Sequence, residues 1–283
     1  MEEKLTLLKP KIDVVFHALF KEGNEKITKA MIQATTKEKI QKVNLDNDRH
    51  LVGEYTEEKL GIVDLKATLD NGTICDIEIQ LADNKDTAER FLFYWSRIYA
   101  GQLVKGDDYG KLNKVIGIII IDYELERTKE VQKLSTKWKI REVSTGKQIE
   151  LTDVFELYII EIPKARRILK EEPKNELAQW VMFINDPNES EVSKIMEDNK
   201  EIKEAMNELE KISRDKELRR VAELREKAIR DEKNGLRHAK EEGIKEGIEK
   251  VAKKMIELNI SVQDIIKATG LKEEQILELK KNI

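Results

Sequence analysis

Apolar residues recur either every three to four positions or at alternate positions through the first two thirds of the chain. The first spacing is typical of helices that bury one face, and the second is typical of strands. These patterns predict helices at residues 13–20, 25–41, 87–104 and 176–184, and strands at 62–69, 73–81, 115–121, 137–143 and 156–162. The order helix, strand, strand, helix, strand indicates an α/β fold with helices on the faces of its sheet.

The strands at 62–69 and 73–81 flank Asp70-Asn71-Gly72, a strong turn signal. A two-residue turn would mix charged and aliphatic side chains on both faces of the hairpin. A three-residue loop with Gly72 at a positive φ separates an apolar face from a polar face instead. Cys75 then lies on the apolar face, which favours a core residue over a nucleophile. The polar face carries Asp64, Lys66, Thr68, Ile74, Asp76, Glu78 and Gln80.

This register predicts that two carboxylates, Asp64 and Glu78, stand opposite each other. Opposed carboxylates repel each other unless a cation lies between them, and Mg²⁺ is usually held by one or two carboxylates plus waters and phosphate oxygens. Lys66 would face Asp76 and be a diagonal neighbour of Glu78. The alternative is that the polar face is the solvent side of an amphipathic hairpin, where Lys66 neutralises its neighbours.

These residues resemble the signature of the PD-(D/E)XK nuclease superfamily, an acidic residue on one strand followed by an (Asp/Glu)-x-(Lys/Gln) triplet on the next. Five segments are similar to its recombination-promoting nuclease branch, the Rpn family of transposase-like nucleases. They are KIDVVFHALF, GIVDLKATLDNGTICDIEIQL, RFLFYWSRIYAGQLVKGDDYGKLNKVIGIIIID, FELYIIEIPK and EEGIKEGIEKVAKKMIELNISVQDIIKATGLKEEQI. The resemblance covers nearly the whole chain.

The resemblance implies a restriction-endonuclease-like mixed sheet and a metal-dependent DNA endonuclease of low sequence specificity, linked to recombination or mobile elements. Asp64 and Glu78 would bind Mg²⁺ or Mn²⁺. Gln80 stands where many superfamily members have lysine, and it can orient water but carries no charge. Lys66 is the candidate to supply that charge. Asp13 matches the Asp-x-x-Phe motif of the family, with a helix N-cap as the alternative.

A second interpretation is a catalytically weak or inactive nuclease-fold module that acts through DNA binding or helical oligomerisation. The glutamine at position 80 keeps this interpretation open, whereas the acidic residues Asp64 and Glu78 favour an enzyme. A purely structural helical scaffold is disfavoured by the buried-strand run VIGIIII at residues 115–121.

The composition changes towards the C-terminus. Residues 201–255 contain 30 charged residues and no Phe, Trp or Tyr. This change predicts a nuclease-like α/β domain over residues 1–187, a charged helical arm over 188–255 and a small helical segment over 256–283. Ser261 and Gly270 are expected to begin and end a short helix in the last segment. Because helices with few large apolar residues need neighbours, the C-terminal helices predict a homo-oligomer.

Charge and composition limit the remaining possibilities. The formal net charge of −4 disfavours a general polyanion binder, so DNA contacts need a local basic patch. Two clusters qualify, each with solvated lysines and arginines as the alternative; they are Lys137, Lys139 and Arg141, and Lys164, Arg166 and Arg167. One cysteine excludes an internal disulfide. No apolar run approaches the ~20 residues that cross a bilayer, and no secretory signal is evident, so a cytoplasmic location without membrane partners is expected.

Overall fold

A computed structural model of the protein describes residues 5–45, 65–83 and 86–281. The helices in this part of the chain are α1 (Asp13–Leu19), α2 (Glu25–Thr36), α3 (Thr87–Ala100), α4 (Ala165–Glu171), α5 (Glu176–Asn185), α6 (Ser190–Asp198), α7 (Lys200–Arg214), α8 (Lys216–Glu257), α9 (Val262–Thr269) and α10 (Glu273–Lys281). The strands are β1 (Val43–Leu45), β2 (Leu65–Leu69), β3 (Ile74–Gln80), β4 (Val115–Ile121), β5 (Ser135–Trp138) and β6 (Phe155–Glu161).

The strands form one mixed sheet in the order β1-β2-β3-β4-β6-β5. The pairing is antiparallel between β1 and β2 and between β2 and β3. It is parallel between β3 and β4 and between β4 and β6. The edge strand β5 pairs antiparallel with β6. Parallel strands need a crossover connection, and α3 supplies it between β3 and β4. The predicted fold class is confirmed: a restriction-endonuclease-like mixed sheet with flanking helices is followed by a helical C-terminal region.

One face of the sheet is covered by α3. Partners in a parallel ladder point to the same side, so the polar residues of β3 share this face with Gly117, Ile119 and Ile121 of β4. Phe91 of α3 packs into a cluster with Ile119 and Ile121. A Cβ atom at Gly117 would come within 2.0 Å of the Phe91 ring, so the missing side chain lets the helix approach the strand.

The opposite face of the sheet is equally buried, and on β3 and β4 it is apolar. Cys75 and Ile77 of β3 lie beside Ile116 and Ile118 of β4 on this side. Lys114 contacts both Glu38, just beyond the end of α2, at 3.4 Å and Glu156, the ladder partner of Ile116, at 3.0 Å, so the end of α2 lies on this side of the sheet. The helices α1, α2, α5 and α7 pack against one another around Phe16, Phe20 and Trp180.

Several predicted boundaries needed correction. The helix expected over 25–41 ends at Thr36, because Lys37 adopts a left-handed conformation with φ of 63°. The strand expected over 137–143 lies at Ser135–Trp138 instead, because the chain beyond Trp138 leaves β6. There the Glu142 amide donates to the Ile149 carbonyl, so this segment forms its own local hairpin.

The chain forms two compact units, residues 1–227 and 228–283. The boundary predicted at residue 187 therefore lies inside the first unit, where α7 buries Ile202, Ala205 and Leu209 completely. In the described chain, no helix combines the length and the apolar character needed to cross a membrane.

The second unit has a small core of its own, in which Ala252, Ile265 and Ile276 are buried. Ser261 caps α9, since its hydroxyl oxygen accepts the Asp264 amide at 3.2 Å. Gly270 ends the same helix at a φ of +70°. Both predicted helix signals are thus confirmed.

Candidate active site

The β2–β3 hairpin has the register predicted from its alternation. Lys66 pairs with Asp76 and Ala67 pairs with Cys75. Gly72 closes the three-residue loop at a φ of +83°, and its amide donates to the Leu69 carbonyl at 3.0 Å. The predicted separation of a polar from an apolar face on β3 follows directly.

Asp64 lies outside the residues that the structure describes. Its position opposite Glu78 therefore stays a prediction, based on the register of the neighbouring pairs. The remaining predicted site residues, Lys66, Glu78 and Gln80, lie on β2 and β3 within the described part.

The polar face of β3 is buried rather than solvated. Asp76 and Glu78 are each 2% exposed and Gln80 is 6% exposed. The interpretation of this face as the solvent side of an amphipathic hairpin is therefore wrong. The sheet is covered on this face by α3, a tertiary contact that alternation within the hairpin could not reveal.

A chain of hydrogen bonds connects Glu78 to α3. The Gln80 side-chain amide donates to Glu78 Oε1 at 2.6 Å. Tyr123, two residues beyond β4, donates its hydroxyl to Gln80 Oε1 at 3.3 Å. The hydroxyls of Tyr123 and Thr87 lie 2.6 Å apart, at the first residue of α3. Since this chain fixes both ends of the Gln80 amide, it also holds one oxygen of Glu78 in place.

The two acidic residues of β3 are poorly compensated. Burial raises the pKa of Asp76, and the negative charge of Glu78 raises it further, against a smaller opposing effect of Lys66. Burial also raises the pKa of Glu78, opposed by its hydrogen bond from Gln80 and by the charge of Arg90. Removing two carboxylates from water disfavours their ionised forms unless positive charge is supplied.

One carboxylate oxygen on this face has no partner among the described residues. Asp76 Oδ1 is buried and accepts no hydrogen bond from residues 5–45, 65–83 or 86–281. An orphaned buried acceptor is costly, and a hard cation with oxygen ligands would satisfy it. Across residues 5–45, 65–83 and 86–281, no cluster of three or more His, Cys, Asp or Glu side chains could hold a metal ion. The oxygen donors of Asp76 and Glu78 nevertheless fit Mg²⁺ or Mn²⁺ in type and charge.

The family model for PD-(D/E)XK nuclease family transposases matches residues 10–239. The chain belongs to this family. No curated protein and no solved structure matches the chain. The assignment of Glu78 as the acidic member of the PD-(D/E)XK triplet, and of Gln80 at the position that the family name gives to lysine, stays a prediction from the sequence.

Cys75 is a core residue in this family member, as predicted. The side chain is fully buried on the apolar face, and burial raises the pKa of its thiol to about 12. Because the thiolate is the reactive form of cysteine, a thiol with so high a pKa is a poor nucleophile.

Asp13 does not cap its helix. The N-cap of α1 is Ile12, and Asp13 Oδ1 accepts the neighbouring Val14 amide at 2.8 Å. Its second oxygen lies 3.5 Å from Nε of Arg225 in α8. The N-cap interpretation is wrong, and this aspartate holds an ion pair between α1 and α8.

Members of both basic clusters form ion pairs within the chain, although Lys137, Arg141 and Arg166 remain exposed. Lys137 and Lys139 both contact Glu156 of β6 at 2.9 Å. Lys164 is buried, contacts Glu161 at 2.8 Å and donates to two backbone carbonyls. The buried Lys164 fits neither the phosphate-binding nor the solvated interpretation, whereas Lys137, on the edge strand β5, is 41% exposed and fits the solvated one.

Sequence reasoning overlooked Thr87, Arg90 and Tyr123. Tyr123 follows the carboxyl end of β4, the edge where parallel strands most often present functional side chains. Thr87 and Arg90 belong to the first turn of the crossover helix, which leads from β3 to β4. That connection could have indicated Thr87 and Arg90, because a crossover helix must pack on one face of the strands that it joins.

Proposed function

We propose that this protein is a metal-dependent DNA endonuclease that hydrolyses phosphodiester bonds with low sequence specificity. One observation supports this most directly. In a chain of the PD-(D/E)XK family, the buried Glu78 is held by Gln80, beside an Asp76 oxygen that lacks a partner among the described residues. Such a pair of underneutralised carboxylates is suited to a divalent cation.

In this proposal Asp64 and Glu78 bind the cation, Mg²⁺ or Mn²⁺, and Asp76, two residues before Glu78 on the same face of β3, adds negative charge beside it. A cation there supplies Lewis acidity and lowers the pKa of a bound water. Gln80 orients Glu78 through the 2.6 Å hydrogen bond and adds no charge. Lys66 faces Asp76 across the hairpin, where its charge opposes the rise that burial causes in the pKa of that carboxyl. The catalytic set is then Asp64, Glu78, Gln80 and Lys66.

Nicking of supercoiled plasmid tests the proposal, with Mg²⁺, Mn²⁺, Ca²⁺ or EDTA in parallel reactions. Wild-type protein should cleave with Mg²⁺ or Mn²⁺ only. Asp64→Ala and Glu78→Gln should each lower the rate at least a hundredfold, because each removes a metal ligand. Glu89→Gln is the matched control, since Glu89 is an exposed carboxylate on α3. Equal cleavage by wild type, Glu78→Gln and a mock purification would refute the site.

A second candidate function is a non-catalytic module of the same fold, and the glutamine at position 80 favours it. The module would bind DNA with equal affinity in EDTA and in Mg²⁺, and would leave plasmid intact at any enzyme concentration. The name of the family supports a role in transposition or recombination, and a cytoplasmic location is part of the same proposal.

A further inference from the structure

Arg90 lies in the first turn of α3, between the two buried residues of that helix. Thr87 precedes it by three positions and Phe91 follows it. Arg90 itself is half-buried, so its side chain is packed against the protein and still reaches solvent. A long stem with an accessible guanidinium is suited to contact a charged ligand.

The backbone around Arg90 is fixed from both sides. The Thr87 hydroxyl bonds to Tyr123, and through Tyr123 this end of the helix is connected to Gln80. The Phe91 ring fills the space left by Gly117 on β4. Arg90 is therefore held over the same sheet face that carries Glu78.

The guanidinium of Arg90 makes no hydrogen bond and no ion pair within residues 5–45, 65–83 and 86–281. Other arginines of this region are engaged: Arg127 contacts Glu89, and Arg97 lies over the Phe93 ring. Burial raises the pKa of both Glu78 and Tyr123, and the charge of Arg90 opposes that rise in each. A cation without a carboxylate partner in the described chain thus acts on the two side chains that contact Gln80.

We propose that Arg90 binds a non-bridging oxygen of the DNA phosphate at the Glu78 site and replaces the charge that Gln80 lacks. This inference rests on the proposed function and specifies its substrate contact. A guanidinium matches the geometry of a phosphate with two parallel N–H donors. Lys66 is placed differently, because it faces Asp76, four residues before Gln80 on β3.

The test compares Arg90→Met and Arg90→Lys with Arg97→Met, a control on the same helix. Affinity for a short duplex is measured in Ca²⁺ over a range of salt concentrations, and cleavage is measured in Mg²⁺. Arg90→Met should weaken binding severalfold and reduce the slope of log affinity against log salt by about one, since one phosphate contact is lost. Arg90→Met should also lower kcat/KM at least tenfold, with Arg90→Lys recovering part of the loss.

Each outcome distinguishes a contact between Arg90 and phosphate from a role of Arg90 in packing helix α3 alone. If Arg90→Met and Arg97→Met share the wild-type salt slope and kcat/KM, the phosphate contact is wrong. If wild type does not cleave but Arg90→Met still lowers the salt slope, the contact stands and the nuclease assignment fails. Should Arg90→Met unfold, the affinity and kcat/KM of Arg90→Lys decide, because a retained charge with lost bidentate geometry lowers both without lowering the slope. Wild-type affinity and kcat/KM in Arg90→Lys would then refute the phosphate contact.

Discussion

Asp76 and Glu78 give the protein a pH dependence of defined sign. Burial raises the pKa of both carboxyls in the folded state. The stability they contribute is complete below the ordinary carboxyl pKa of about 4 and is lost as the pH rises through the raised values. We expect the melting temperature of metal-free protein to fall between about pH 5 and about pH 8.

Asp76→Asn isolates this effect, because it keeps the shape of the side chain and removes its charge. The variant should match wild type near pH 4 and exceed it by roughly 1–3 kcal/mol near pH 8. Mg²⁺ or Mn²⁺ should stabilise wild type more at the higher pH, since the carboxylates must lose protons to bind a cation. Parallel pH profiles for the two proteins would contradict the assignment.

Glu156 differs from Asp76 and Glu78, because the charge of this buried carboxylate is neutralised by three lysines. Its oxygens contact Lys114 at 3.0 Å and both Lys137 and Lys139 at 2.9 Å, and they accept the Tyr158 hydroxyl. Burial raises the pKa of Glu156, but the hydrogen bonds from the three lysines outweigh it and bring the pKa to about 2. This carboxylate therefore stays ionised and its contribution is lost only in strong acid.

Glu156→Gln leaves three ammonium groups facing a neutral amide. We expect a loss of about 3 kcal/mol in the free energy of unfolding, the low end for breaking a buried ion pair, because the lysines keep some solvent. Urea denaturation measures it. Glu150→Gln is the control, because Glu150 shares Lys139 but is more exposed, and it should cost less than about 1 kcal/mol. Equal losses would show that Glu156 has no special role.

Alternation along single strands predicted which side chains share the polar face of β3. It did not reveal which parts of the chain cover that face. It separated Asp76, Glu78 and Gln80 from Cys75 correctly, because register fixes the face of every side chain. It gave no sign that Asp76 Oδ1 is orphaned within the described chain, because that depends on which neighbours pack over the face. The ion pairs of Lys137 and Lys139 were hidden for the same reason, since Glu156 lies on another strand.

Strand β4 was predicted with its observed bounds, because its apolar run is buried on both faces. β1, with three residues, was missed because so short a strand carries no period. α4 was missed because its seven residues directly follow β6 and a short turn at Ile162–Lys164. Long elements with a strong apolar pattern can therefore be predicted from the sequence. Short elements cannot, because they form only through contacts with neighbouring elements.

The contact between α3 and β4 depends on the absence of a side chain at Gly117. A Cβ atom there would lie 2.0 and 2.3 Å from two atoms of the Phe91 ring, so Gly117→Ala must displace the helix or the strand. We expect a loss of about 2 kcal/mol in thermal or urea unfolding, typical of overpacking. Gly243→Ala in α8, where a Cβ would have no atom within 4 Å, should be neutral or stabilise by up to about 1 kcal/mol.

A second substitution shows whether the ring is the cause. Phe91→Leu in the Gly117→Ala background should restore part of the lost stability, since a smaller side chain leaves room for the new methyl group. Strictly additive losses would mean that the Gly117→Ala effect arises elsewhere, for example in the strand backbone.

The two compact units predict how the chain tolerates truncation. The sequence alone suggested that residues 1–187 suffice for the α/β domain. Helix α7 buries Ile202, Ala205 and Leu209, and it packs against α1 and α2. We therefore expect a fragment of residues 1–227 to unfold cooperatively, and a fragment of residues 1–187 to expose apolar surface and aggregate or melt at lower temperature. Equal melting of the two fragments would favour the shorter domain.

A comparison of the full-length chain with residues 1–227 decides whether the C-terminal helices mediate self-association. In the second unit, Leu236, Ile244 and Val251 of α8 are about half exposed. A Cβ atom added at Gly243 or Gly247 would have no atom within 4 Å, so another backbone could approach both positions. Such a helix gains stability from a neighbour that covers its apolar residues. We expect full-length protein to sediment as a dimer or larger at micromolar concentration, and residues 1–227 as a monomer. A full-length monomer across that range would show that the helices act within one chain.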